Sequence, residues 1–355
     1  MSRYRKNLDT KGILFTLKFF GVIGIFFALV QAVFFFYGEY KISDIISDEV
    51  DAKISDLKNK NKANVINFNS NKEIKLGFVG DIMLDRNVER AILTKGEGDF
   101  DFPFEYIGVT LREYDFMFGN LEGSVSNKGE DRGSIYSFRM DTKAIAALKK
   151  AGFDILSVAN NHSADWGGEA MYDTMRRLEG AGIRYVGGGF NKPNAYRPKI
   201  IDINGTKIAY TAFSQFESGR LENSAVLAHL NKENLRRVLK SIRNEVNIII
   251  VSMHFGDEYK SLPNKFQESI AKFAIDEGAD LVVGHHPHVV QPVEKYKNGY
   301  IAYSLGNFIF DQNFSEETMQ GLLLDVLIKS GKIVEVRDLL VCLNEYFQPK
   351  FFCLR

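Results

Sequence analysis

Thiolate chemistry has almost no raw material in this chain. There are two cysteines, Cys342 and Cys353, both at the C-terminal end and remote in sequence from every histidine, which argues against a zinc-thiolate site. In an oxidising compartment they can form one disulfide; elsewhere they are two apolar thiols. Charge of one sign is also missing. The 45 Lys and Arg balance the 45 Asp and Glu, and no basic stripe stands out within the soluble part, so no nucleic-acid partner is expected. Residues 41–72 contain neither proline nor glycine, and no internal repeat is visible in the 355 residues.

What the N-terminus does have is apolar length. Arg3, Arg5, Lys6, Lys11 and Lys18 lead into an uncharged run from Phe19 to Tyr37 with a single amide, Gln31. At roughly 1.5 Å per residue such a run just spans a hydrocarbon core of roughly 30 Å. It exceeds a signal-peptide core and lacks a small-x-small exit, which predicts an uncleaved anchor. The expected layout is a cytoplasmic basic tail (1–11), a transmembrane anchor (12–37), a polar stalk (38–72), one globular domain (73–345) and a short tail (346–355). Basic residues before the span and acidic ones after it place the N-terminus in the cytoplasm and the domain beyond the membrane. In the stalk, Ile42, Ile45, Ile46, Val50, Ile54 and Leu57 recur at helical spacing, as in an amphipathic helix or short coiled coil.

From Glu73 the pattern is that of an α/β domain. Short apolar runs (Ile74 to Val79, Tyr114 to Phe118, Phe153 to Val158, Val246 to Val251, Ala279 to Val283) alternate with helical patterns at Thr142 to Ala151, Glu169 to Ala181 and Phe266 to Glu277. Asn204-Gly205 and Ser330-Gly331 each join two strand-like runs and predict hairpins. The sheet is therefore mixed, or split in two.

The informative residues follow the runs. Ile74 to Gly80 ends in Asp81, and Tyr114 to Gly119 ends in Asn120-Leu121-Glu122. Phe153 to Ala159 ends in Asn160-Asn161-His162-Ser163-Ala164-Asp165, and Val246 to Met253 ends in His254. Leu281 to Gly284 ends in His285-His286-Pro287-His288, which holds three of the six histidines. Singly, each residue has an ordinary reading: Asp81 as a helix cap, Asn120 as a turn residue, His254 as a satisfied core histidine. Together they place oxygen and imidazole donors at equivalent positions, the carboxyl ends of strands where open α/β sheets bind ligands. A donor set of this kind without thiolate suits one or two divalent ions of Mn, Fe, Zn or Mg.

Six motifs occur in order: Gly80 to Arg86, Asn120 to Gly123, Ala159 to Asp165, His254 to Tyr259, Gly284 to Gln291 and Tyr303 to Phe308. Over residues 74 to 312 the set resembles the bacterial capsule-synthesis family called CapA or PgsA, linked to poly-γ-glutamate capsules and placed in the calcineurin-like metallophosphoesterase superfamily. The resemblance implies layered mixed sheets flanked by helices, preceded by one membrane anchor. It implies Asn161, His254, His286 and His288 as metal ligands beside Asp81, with Glu122 standing where the superfamily has a bridging Asp. His162 is implied as the proton donor to a leaving oxygen. The superfamily's opening Asp-x-His is broken here, because Met83 occupies the histidine position; Asp165 or Glu258 can compensate. Asp165 is grouped with His162 in catalysis, and Arg86, Asn120, Glu258 and Asn307 are expected to contact substrate. The expected activity is metal-dependent hydrolysis acting on a cell-surface anionic polymer or its lipid-linked precursor, alongside other membrane capsule-synthesis subunits. The alternative is a non-catalytic assembly or export subunit that binds an anionic polymer in the same cleft.

Overall fold

The structure, a computed structural model, describes residues 73–216, 225–351 and 353. The expected basic tail, anchor and stalk lie outside the described residues. Among the described residues no helix is long and apolar enough to cross a membrane.

Of the two expected arrangements, one mixed sheet or a split pair, the structure has the second: the ligand-bearing strands divide between two separate sheets. In the first, Pro349–Lys350, Lys332–Leu343, Gln320–Lys329, Ile74–Ile82, Phe116–Leu121, Phe153–Ser157 and Arg184–Val186 lie side by side, the last four parallel. In the second the order is Val290–Tyr296, Gly299–Leu305, Leu281–His285, Ile248–His254, Thr206–Ser214 and Lys199–Ile203. Both expected hairpins are present. Asn204 and Gly205, and likewise Ser330 and Gly331, all have positive φ, the geometry that matches the twist of two-residue hairpins.

Strand alternation sorts the apolar residues into layers. Leu76 and Phe78 of the Ile74 strand join Phe118, Tyr210, Ile250, Leu281 and Val283 in one core between the sheets, where the Phe118 and Tyr210 rings stack with centroids 6.2 Å apart. Val79 and Ile82 of the same strand point the other way, to a core shared with helices Arg86–Thr94, Ala144–Ala151 and Gly167–Gly180. A third core lies under helices Lys232–Ile242 and Lys265–Asp276. The order is helix, sheet, sheet, helix. Strands buried on both faces read as continuous apolar runs, which is why they were visible in sequence.

The domain also runs past the boundary expected at residue 345. Pro349 and Lys350 pair with Leu343 and Cys342, Gln348 Nε2 donates to the Phe102 carbonyl at 2.7 Å, and Cys342 is disulfide-bonded to Cys353. A two-residue strand closed by side-chain bonds has no apolar period to announce it.

Candidate functional site

The five strand ends meet where the carboxyl ends of the two sheets adjoin. Asp81 and Asn120 are register partners in the first sheet, and His254 and His285 in the second. The approach between the sheets' connections is close. Asp81 N donates to Gly306 O at 3.0 Å, and a Cβ on Gly80 would collide with that same carbonyl, so the position before Asp81 needs glycine.

Asp81 is fully buried; Asn120 Nδ2 donates to it at 2.9 Å and the His286 backbone N–H at 3.2 Å, while His288 Nδ1 and His285 Nδ1 stand 3.1 and 3.4 Å from its oxygens. Burial alone would raise its carboxyl pKa, but the adjacent His285 and His288 imidazoles outweigh it and hold the group well below the usual carboxylate range. Glu122 is the opposite case. Burial first, then the charges of Asp81 and Glu258, push it well above its ordinary value. Burial also pushes His254 well below an ordinary imidazole, and lowers His286 to about 3. Both rings are therefore neutral at physiological pH, the form in which imidazole binds metal.

Glu122 Oε1 has no hydrogen-bond partner although fully buried. Three imidazole nitrogens surround it: His288 Nε2 at 3.7 Å, His254 Nε2 at 3.9 Å and His162 Nε2 at 4.0 Å. These separations are too long for hydrogen bonds. For His254 and His288 they match groups gathered around a metal centre, since oxygen and nitrogen ligands bind at about 2.0–2.2 Å and so lie roughly 3–4 Å apart; His162 stands outside both donor clusters. Two clusters have one donor atom per residue mutually within 4.8 Å: Asp81 with Glu122 and His254, and Glu258 with His286 and His288. Asn161 belongs beside the first, its Oδ1 lying 2.7 Å from His254 Nε2. The residues present fit a divalent metal.

The expected proton donor is held from behind. His162 Nδ1 contacts Asp165 Oδ2 at 2.8 Å, and that oxygen also accepts the Phe138 backbone N–H at 3.0 Å. Asp165 therefore orients His162 and stands outside both clusters of metal donors. A cleft of about 280 Å³ opens over His162, Glu258 and His288, walled by Arg86, Asn87, Asp311, Gln312 and the rings of Tyr136, Phe138, Tyr259 and Phe314. Arg86 Nε pairs with Asp311 Oδ2 at 3.1 Å, and its guanidinium lies over the Phe138 ring at 5.5 Å.

Two expected substrate contacts are corrected. Asn120 is fully buried and bonds Asp81, Glu122 Oε2 at 2.9 Å and His254 Nδ1 at 3.4 Å. Asn307, also fully buried, places its Oδ1 3.0 Å from His288 Nδ1 and donates to Gln312 and to the Thr318 carbonyl. Both orient donors and neither lines the cleft. Met83 faces the apolar core with Ile82, Leu84 and Val88, its sulfur accepting the Asp85 N–H at 3.1 Å. Sequence reasoning missed the aromatic wall and Asp311. The segment Asp311-Gln312-Asn313 directly after the apolar Phe308-Ile309-Phe310 repeats the strand-end pattern used elsewhere and was the available signal.

Comparison with known proteins follows the same residues. Residues 75–312 match the family described as bacterial capsule synthesis protein PGA_cap. A capsule biosynthesis protein CapA of Bacillus anthracis is 33% identical over 259 residues, 69% of this chain and 62% of the relative, so the match spans less than two thirds of that protein. A PGA biosynthesis protein CapA of Bacillus subtilis is 33% identical over 270 residues, 74% of this chain and 70% of the relative. Among solved structures, a phosphatase from Mycoplasma pneumoniae aligns over 77% of this chain and 94% of its own at 13% identity and a TM-score of 0.44. By its motifs and by the extent of the match, the chain belongs to the bacterial capsule synthesis PGA_cap family.

Proposed function

We propose that this chain is a membrane-anchored, metal-dependent hydrolase of the metallophosphoesterase type, acting outside the cytoplasm in capsule or poly-γ-glutamate synthesis or export. One observation carries the reading. A fully buried carboxylate oxygen, Glu122 Oε1, has no hydrogen-bond donor, while imidazole nitrogens from three separate stretches of chain stand 3.7–4.0 Å away. Burial without a partner is costly for such a group, and a bound cation removes the cost.

Asp81, Glu122, Asn161, His254, His286 and His288 would hold one or two divalent ions of Mn, Fe, Zn or Mg. A bound ion would neutralise charge on a phosphoryl group and lower the pKa of water. His162 Nε2 lies on the cleft side and would give its proton to the leaving oxygen, with Asp165 fixing Nδ1 as the other protonated position. Arg86 in the wall would meet the anionic part of the substrate. The substrate class is a cell-surface anionic polymer or its lipid-linked precursor, and the partners are other membrane subunits of capsule synthesis. The apolar run in 12–37 would anchor the chain with its N-terminus inside. The Cys342–Cys353 disulfide supports a domain on the oxidising side.

Met83 in place of the superfamily histidine favours a second reading, a non-catalytic assembly or export subunit that binds anionic polymer in this cleft. The two readings separate in one assay. Full-length protein in detergent, loaded with Mn(II), is given p-nitrophenyl and bis-p-nitrophenyl phosphate. The hydrolase reading expects turnover that chelation abolishes and that His162→Ala lowers by about 10²–10⁴-fold with metal content unchanged. Metal-loaded protein without turnover, or a His162→Ala variant as active as wild type, would leave the assembly reading.

A further inference from the structure

The substitution at Met83 removes a nitrogen donor, and the side chain cannot supply one from the core. We propose that Glu258 replaces it, joining His286 and His288 in a second divalent-cation site at the floor of the cleft, distinct from the deeper Asp81, Glu122 and His254 set. The inference rests on the reading of the cleft as a metal centre.

The two clusters share no residue, and in each the three donor atoms lie mutually within 4.8 Å. Glu258 is not a freely moving surface acid. The chain leaving His254 is stapled along the histidine loop at both ends: Phe255 N donates to His285 O at 3.1 Å, and Tyr259 N donates to Pro287 O at 2.8 Å. Between the staples the backbone turns sharply. Gly256 has φ +97°, with the Gln267 side chain where a Cβ would stand, and Tyr259 has φ +60°. His286 and His288 face this turn with φ +96° and +56°. Three left-handed non-glycine residues in two adjoining loops are a local cost, of the kind kept where side chains must converge. The convergence is of Glu258 with the two imidazoles. His286 Nδ1 is buried and has no hydrogen-bond partner, and His288 is oriented through its Nδ1 by Asn307 and Asp81.

The two sites differ in chemistry and in access. The deep set offers two carboxylates and one imidazole, and the cleft set two imidazoles and one carboxylate, a combination well suited to Zn, Fe or Mn. Glu258 and His288 line the cleft together with His162, whereas Asp81, Glu122 and His254 lie beneath its floor. The Glu258 site is therefore the one that would face a ligand.

The test is metal binding, read without activity. Full-length wild type, Glu258→Gln and His254→Ala are saturated with Zn(II) or Mn(II), and stoichiometry and affinity are measured by elemental analysis and calorimetry. Glu258 is partly exposed, so its amide replacement should leave the melting temperature of metal-free protein unchanged. The expected result is two equivalents in wild type. Glu258→Gln should keep one at wild-type affinity and weaken the other by at least the roughly 10–100-fold typical of disturbing a ligand's support, and His254→Ala should lose the complementary equivalent. Two equivalents at wild-type affinity in Glu258→Gln would overturn the inference, as would a single wild-type equivalent that Glu258→Gln retains; both leave the metal-centre reading standing. No metal in wild type would overturn that reading itself.

Discussion

His162 Nδ1 and Asp165 Oδ2 lie 2.8 Å apart, three residues along one turn of chain, and the same carboxylate oxygen is anchored by the Phe138 backbone. The imidazole thus has one nitrogen committed to the protein and the other facing the metal donors. If His162 is the proton donor proposed above, Asp165→Asn is expected, with metal bound, to lower kcat for bis-p-nitrophenyl phosphate while leaving KM and metal content near wild type, because only the orientation of that imidazole is disturbed. Equal effects on KM and metal content would show that Asp165 merely holds the loop.

Arg86 is pinned by Asp311 and laid over Phe138, so its forked guanidinium is presented to the cleft in a fixed plane. Arg86→Lys should raise KM for an anionic probe by about tenfold, since lysine lacks the fork that both pairs with Asp311 and stacks. Steady-state kinetics on the Mn(II)-loaded full chain would measure this, and an unchanged KM would remove Arg86 from substrate binding.

Met83 belongs to the core. Met83→Leu should leave metal stoichiometry unchanged and cost less than about 1.5 kcal/mol in urea unfolding, as volume-conserving apolar exchanges do. A variant that loses metal would place the sulfur in the ligand set instead.

Asp173 ties the Gly167–Gly180 helix, which follows the His162 loop, to the neighbouring segment. It accepts from Ser126 Oγ at 2.7 Å and Arg177 Nε at 2.7 Å and lies 3.5 Å from Lys128 Nζ. Burial would raise its pKa, but these partners prevail and hold it below the ordinary carboxylate value. A depressed folded-state pKa means the stabilisation is present above the unfolded pKa of about 3.9 and is lost as pH falls through the lower folded value. Asp173→Asn should therefore cost about 1–3 kcal/mol near neutrality, with the difference from wild type shrinking below about pH 4. Urea titrations across that range would check the sign, and a penalty that grows on acidification would contradict it.

Much of this site was legible because each donor follows a doubly buried strand. Asp81, Glu122, Asn161, His254 and the 285–288 histidines stand out where continuous apolar runs stop. What could not be read was which strands share a sheet, because Phe78 and Tyr210 are equally apolar whether they lie in one sheet or face each other across two. Nor could the roles of Asn120 and Asn307 be read, since an asparagine at a strand end has the same letter whether it meets solvent or the back of a histidine. Glu258 is the sharpest case. Its position depends on positive φ at Gly256 and Tyr259, and tyrosine gives no hint of a left-handed turn.

The chemistry of this cleft depends on whether the buried donors hold metal. The most direct measurement is elemental analysis of purified full-length protein beside His254→Ala and Asp81→Asn, after loading with Mn(II) and desalting. Stoichiometric metal in wild type, reduced in both variants whose folds remain intact by circular dichroism, is the predicted result. Wild type that retains no metal after loading with Mn(II), Zn(II) or Fe(II) would contradict it.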